Sequence, residues 1–129
     1  MKATDLMVGD FVNVNDLPLR VGAIRQDELG FFDNDYKIYW CSDDEFDRID
    51  PIPLTEDILV KNGFDCQYYD DGNSYWWAVF DGWFNINFDH SDCSEGEFRC
   101  VNFRDLVIKS VHQLQHLLRL CGIEKEIEL

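Results

Sequence analysis

The chain has 129 residues, enough for one compact domain or two very small ones, and its formal net charge is −15. Ten Phe, five Tyr and four Trp supply ample core material. A body this acidic is repelled by nucleic-acid backbones and anionic membranes, which argues against direct nucleic-acid or membrane binding and favours partners with basic surfaces; solubility alone is the plainer use of such charge.

In chain order, DLMVGDFVNV places a turn at Gly9-Asp10 and begins a strand at Phe11, Val12 and Val14. Residues 19–25, 29–32 and 37–41 read as three further strands, and 46–52 as a short fifth that Pro51 and Pro53 end. Five short strands in this span predict a small SH3-like β-barrel over 1–53. Thr55 caps a helix running to about Asn62, with Glu56 and Asp57 in its first turn and Gly63 ending it. Strands follow at 64–69, 74–80, 83–89, 97–103 and 106–109, with a turn at 70–73 and a loop at 90–96. The stretch SVHQLQHLLRLCG is the best-defined element. Ser110 and Gln113 form a capping box, Val111, Leu114, Leu117, Leu118 and Cys121 share one face, and Gly122 ends the helix. The tail, 123–129, alternates weakly and reads as an edge strand. The expected fold class is α+β: an SH3-like barrel over 1–53, packed on an antiparallel sheet flanked by two helices over 54–129.

Asp81-Gly82 between two aromatic runs signals a two-residue hairpin. Its register places Phe80 opposite Trp83, Ala78 opposite Asn85 and Trp76 opposite Asn87. Alternation then gives Tyr75, Trp77, Val79, Phe84, Ile86 and Phe88 one face, assigned to the core beneath the C-terminal helix. The other face mixes large aromatics with amides. It makes Trp76, Phe80, Trp83, Asn85 and Asn87 the candidate protein-binding surface, unless the barrel or the 64–69 strand covers it.

The stretches KATDLMVGDFV, PIPLTEDILVKNGF and VHQLQHLLRLCGIEKEIEL resemble a group of small proteins of gut Bacteroidales and their phages or mobile elements. The resemblance covers about a third of the chain, and the last two stretches are its more specific part. It implies a bacterial or phage setting and a two-part layout. The group has no assigned activity, so it supplies no site residues.

Chemistry-bearing motifs are sparse. His112 and His116 sit four apart on the C-terminal helix, a spacing that binds zinc from one face. The Glu of H-E-x-x-H is missing, and a third ligand would have to come from Asp105, His90 or Cys93. Ordinary boundary histidines are the alternative. Asp43, Asp44, Glu45 and Asp47 form an acidic patch. Paired carboxylates serve as acid and base or hold a hard cation, but the Gly and Glu of an EF-hand loop are absent and a solvated turn fits as well. Cys93 and Cys100 lack the spacing of a zinc ribbon. There is no nucleophile elbow, P-loop or dinucleotide fingerprint. Neither a cofactor nor a catalytic residue is expected. Five cysteines without close pairing suit free thiols in a reducing compartment. The opening residues lack an apolar leader, and the longest apolar run, 75–80, is too short to span a membrane. A cytoplasmic location is expected.

The acids are spread through the chain: residues 1–53 hold 12 acidic and 5 basic residues, and 54–129 hold 14 and 6. Three functions follow from these features. The first is a non-enzymatic interaction module for a protein with a basic surface, with homodimerisation open. The second is an acidic mimic of nucleic acid that blocks a DNA-binding host protein. The third is a small metal-dependent hydrolase. For the scaffold, Leu114, Leu117 and Leu118 are expected to be buried against Trp77, Phe84 and Ile86. Leu117→Ala should then cost about 2–5 kcal/mol in chemical denaturation.

Overall fold

The computed structural model describes residues 5–68, 76–89, 97–104 and 106–129, which form an α+β fold of two antiparallel sheets and few helices. The residues group into two compact units, Met1–Pro53 with Ser110–Gly122, and Leu54–Lys109 with Ile123–Leu129. The division at Pro53 coincides with the expected joint. The C-terminal helix, however, groups with the first 53 residues and not with 54–129.

The first sheet contains β1 (Phe11–Val14), β2 (Leu17–Ile24), β3 (Glu28–Phe32), β4 (Ile38–Ser42) and β5 (Ile49–Pro51), in the order β4-β3-β2-β1-β5. Asn15 and Asp16 both take positive φ, 50° and 65°, and close a two-residue hairpin that pairs Val14 with Leu17. A register shift between Val21 and Ala23 leaves Gly22 beneath the Phe32 ring, where a Cβ would lie 1.9 Å from a ring carbon. The expected fifth strand is shorter than 46–52, because Asp43–Arg48 forms a 3-10 helix first. Val12, Leu19, Val21, Leu29, Phe31, Cys41 and Ile49 make the buried core of this sheet, joined by Leu6. Among the described residues no ladder joins β4 to β5, so the sheet does not close into a barrel.

Helix α2 (Val111–Leu120) completes this unit. The capping box forms as expected: Ser110 Oγ accepts from the Gln113 N–H, and Gln113 Oε1 accepts from the Ser110 N–H. Val111, Leu114, Leu117 and Leu118 are buried, while Cys121 is only half-buried. The helix packs against β1. The Val111 N–H donates to Ile52 O at 2.9 Å, and Pro53 bridges Ser110.

The second unit opens with α1 (Glu56–Lys61), capped by Thr55, whose Oγ1 accepts from the Ile58 N–H at 3.3 Å. Its sheet contains β6 (Asp65–Tyr68), β7 (Trp76–Phe80), β8 (Phe84–Asp89), β9 (Glu97–Cys100) and β10 (Leu106–Ile108), in the order β10-β9-β8-β7-β6. The expected turn at 70–73, the loop at 90–96 and Tyr75 lie outside the described residues.

The β7–β8 hairpin forms, but its register differs from the expected one by one residue. Phe80 pairs with Phe84, Ala78 with Ile86 and Trp76 with Phe88. The loop has three residues, Asp81, Gly82 and Trp83, with φ of 56° at Asp81 and 78° at Gly82. A shift of one residue exchanges the faces of a whole strand. Ala78, Phe84 and Ile86 therefore share the buried face, all at 0% exposure, and Cys100, paired with Ile86, joins them.

The tail forms no strand. Asn62, 1% exposed, takes the place of a pairing strand for it. Its Oδ1 accepts from the Glu128 N–H at 2.7 Å, and its Nδ2 donates to Glu128 O and to Ile58 O, each at 2.7 Å. Lys61 Nζ also donates to Leu129 O, and Ile127 is buried. Asn62→Ala should cost about 1–3 kcal/mol, since the part-buried hydrogen bonds to the Glu128 and Ile58 backbone are lost. Chemical denaturation measures that loss, and the Glu128 amide should exchange faster with solvent.

Candidate functional site

The observed register redistributes the residues of the hairpin surface expected from the sequence. Phe80 alternates with Ala78 and pairs with Phe84, which sets it on the side of the buried residues, and Trp76 pairs with Phe88. Phe80 packs against Phe64, their rings tilted by 39° with centroids 5.1 Å apart. Asn85 and Asn87 pair with Val79 and Trp77 and lie on the opposite face. Trp83 sits in the loop, exposed and edge-on to Phe84. The amides fix this loop: Asn85 Nδ2 and Asn102 Nδ2 donate to Trp83 O at 3.0 and 3.1 Å, and Asn102 Oδ1 accepts from the Asn85 N–H. Asn85 therefore holds the turn that sets the register.

The two histidines join a different cluster, one that sequence reasoning missed. Asp10 follows the turn glycine and is fully buried. Its Oδ2 accepts from the Met7 N–H at 2.8 Å and lies 2.6 Å from His116 Nε2. Its Oδ1 faces Arg119 Nη1 at 3.3 Å, an ion pair without an aligned hydrogen bond. Gln115, also buried, accepts from the Phe11 N–H and donates to Gly9 O, both at 2.9 Å. Gly9 has φ of 95°, and a Cβ there would come within 2.9 Å of Arg119 Nη2. The available signal was a lone Asp at the start of an apolar strand, together with Gln, His and Arg spaced along one helix.

His116 is thus committed to a carboxylate, and its ring stands edge-on to His112 at 5.7 Å. Among the described residues no group of three or more His, Cys, Asp or Glu has an arrangement that could hold a metal ion. His90, Cys93 and Asp105, the third ligands considered, lie outside those residues. The acidic patch lies on the 3-10 helix Asp43–Arg48, which follows Ser42. Ser42 Oγ lies 2.6 Å from Asp44 Oδ1 and 3.0 Å from Glu45 Oε1, and Arg48 pairs with Glu45 at 3.2 Å. Asp43, Asp44 and Asp47 point into solvent.

A concave feature of the first unit lies beside this 3-10 helix. An open groove of about 290 Å³ runs between the β1–β2 hairpin and β4. Val14, Leu17 and Leu19 form one wall, and Tyr39, Trp40 and Cys41 the other, with Glu45 and Arg48 at the end. Tyr39 donates its hydroxyl to Asp33 Oδ2, and that bond raises its pKa above the usual value. Asp33 in turn accepts from the Asp35 and Lys37 N–H groups and so shapes the β3–β4 loop. Trp40 lies against Gly30, where a Cβ would come within 3.1 Å of the indole, and the Arg25 guanidinium stands 4.3 Å from its ring centre. Burial, and secondly the Glu45 carboxylate, push the Cys41 thiol up. Its sulfur therefore stays protonated at neutral pH, the opposite of what a catalytic thiolate needs. Cys41 and Cys121 are free thiols.

No protein-family model, no curated protein and no solved structure matches the chain.

His112 gives this unit a pH dependence. Burial, the largest influence, lowers its pKa below the ordinary 6.5; Asp10 and Asp5 pull upward, and His116 adds to the lowering. The unfolded chain therefore takes up a proton that the folded chain refuses. Stability is kept above about pH 6.5 and lost as pH falls from there toward the folded value. Urea denaturation between about pH 7.5 and 5.5 should show this loss in the wild type and a smaller one in His112→Leu.

Proposed function

We propose that the protein is a non-enzymatic interaction module that binds a partner with a basic surface through its first unit. The observation that carries this reading is the row Ile38, Tyr39 and Trp40, each more than a third exposed on one strand beside an acidic turn. These side chains flank both faces of one edge strand on a charged body, and Trp and Tyr are enriched where binding energy concentrates. The net charge of −15 supports a protein partner over nucleic acid. The strand order β4-β3-β2-β1-β5, with a 3-10 helix between β4 and β5, supports an SH3-like scaffold for this unit. The free thiols of Cys41 and Cys121 support a cytoplasmic setting. No described helix is long and apolar enough to cross a membrane. The resemblance of three sequence stretches to Bacteroidales and phage proteins supports a mobile-element origin, where a host protein is the natural partner.

The exposed acids Asp43, Asp44 and Asp47 keep a second reading in play, that of a nucleic-acid mimic. One experiment separates the two. The partner is captured from the native host, identified, and reconstituted with purified protein. On the interaction-module reading, Trp40→Ser leaves folding nearly intact and weakens association at least tenfold, about 1.4 kcal/mol. On the mimic reading, DNA competes with the complex, binding falls steeply with salt, and reversing Asp43, Asp44 and Asp47 to Lys abolishes it while Trp40→Ser does not. Association indifferent to both sets of changes would remove the first unit as the binding surface.

A further inference from the structure

Successive side chains of a strand point to opposite faces. Tyr39, Trp40 and Cys41 are successive, yet all three line one groove. A groove lined by three consecutive residues of a strand meets its backbone as well as both faces, as a groove along the strand's edge does. The groove therefore follows the free side of β4, which pairs with β3 alone among the described residues. Across it stand Val14, Asn15, Leu17 and Leu19 of the β1–β2 hairpin.

The two edges of this sheet differ. Edge strand β5 is three residues long and contains Asp50 and Pro51, features that discourage added strands. Edge strand β4 is five residues long, IYWCS, without charge or proline. Its start is flanked by Asp33 and Asp35 and its end by Asp43, Asp44, Glu45 and Asp47. The nearby bases are largely engaged: Arg48 pairs with Glu45, and Arg25 with Glu28 at 2.7 Å while covering Trp40. Lys37 sits over the Tyr39 ring, 5.9 Å from its centre.

Resting on the reading of the chain as an interaction module, we infer that the edge of β4 takes up an extended, Lys- or Arg-bearing segment of a partner as an added strand. Backbone hydrogen bonds to β4 supply affinity without regard to sequence. Alternate side chains of the incoming segment supply selectivity: apolar ones enter the groove between Leu17 and Tyr39, and basic ones meet the acids at either end of β4. A second copy of this chain is disfavoured as occupant, because β4 paired with β4 would bring the flanking acids of both copies together.

Selection of random nonapeptides displayed against the full chain tests this, followed by hydrogen exchange with the enriched peptides. The expected peptides alternate apolar residues with Lys or Arg. They protect amides of Ile38–Ser42, lose at least tenfold in affinity when their own backbone is N-methylated at alternate positions, and bind Trp40→Ser at least tenfold more weakly. The N-methylation and exchange measurements use the wild-type chain and hold even if Trp40→Ser folds poorly. Enriched peptides that lack basic residues, tolerate N-methylation, or protect amides away from β4 overturn the inference. Failure to enrich any peptide also overturns it, while a reconstituted partner that still depends on Trp40 would leave the broader interaction reading standing. Concentration-dependent protection of β4 without peptide would replace the added segment with a second copy of the chain.

Discussion

The carboxylate of Asp10 is the constraint on which the first unit depends. A fully buried anion is costly unless its oxygens find charged and hydrogen-bonding partners. Asp10 finds them in the Met7 N–H, His116 and Arg119. The last two are supplied by α2, more than a hundred residues later in the chain. The same helix brings Gln115 to the backbone of Gly9 and Phe11, and Arg119 Nη2 to Val8 O at 3.1 Å. The opening turn, β1 and α2 thus share one buried polar joint. Removing either side of such a joint leaves the other desolvated and unpaired, which costs more than the joint itself contributes.

Much of this fold is legible where the signal is local. Ser110 and Gln113 announce a capping box, Thr55 a cap, and the alternating apolar residues of the first 53 positions five strands, all of which form. What escapes is set by partners distant in sequence. Asp81-Gly82 by itself argues for a two-residue hairpin. The third loop residue, Trp83, is held by the amides of Asn85 and Asn102, the second of which lies 19 positions away. That one-residue difference moves Asn85 and Asn87 off the face of Phe80 and redistributes the surface read from alternation. Asp10 is hidden in a similar way: beside a glycine it reads as a turn residue, and only the return of α2 makes it an internal anion.

The groove along β4 follows from the same division between local and distant causes. The apolar and aromatic character of Ile38, Tyr39 and Trp40 is plain in the sequence, where it reads only as a strand. It becomes surface because β4 and β5 stand at opposite ends of the strand order, with no ladder between them. The 3-10 helix that carries Asp43, Asp44, Glu45 and Asp47 occupies the connection and places a solvated acidic turn beside the apolar edge. Sequence alternation cannot distinguish a strand with two neighbours from a strand with one.

The order of the units along the chain is first, second, first, second. The first unit needs α2, which follows the whole second sheet, and the second unit needs the tail that Asn62 grips, which follows α2. The two are interlaced in sequence, so no single peptide-bond cleavage yields two complete halves. A fragment ending at Pro53 would carry Asp10 without its guanidinium and imidazole partners. A fragment beginning at Leu54 would carry α2 with its polar side chains facing nothing they were matched to. The molecule is therefore divisible by contacts but not by sequence. During synthesis the first unit lacks α2 until the whole second sheet has been made.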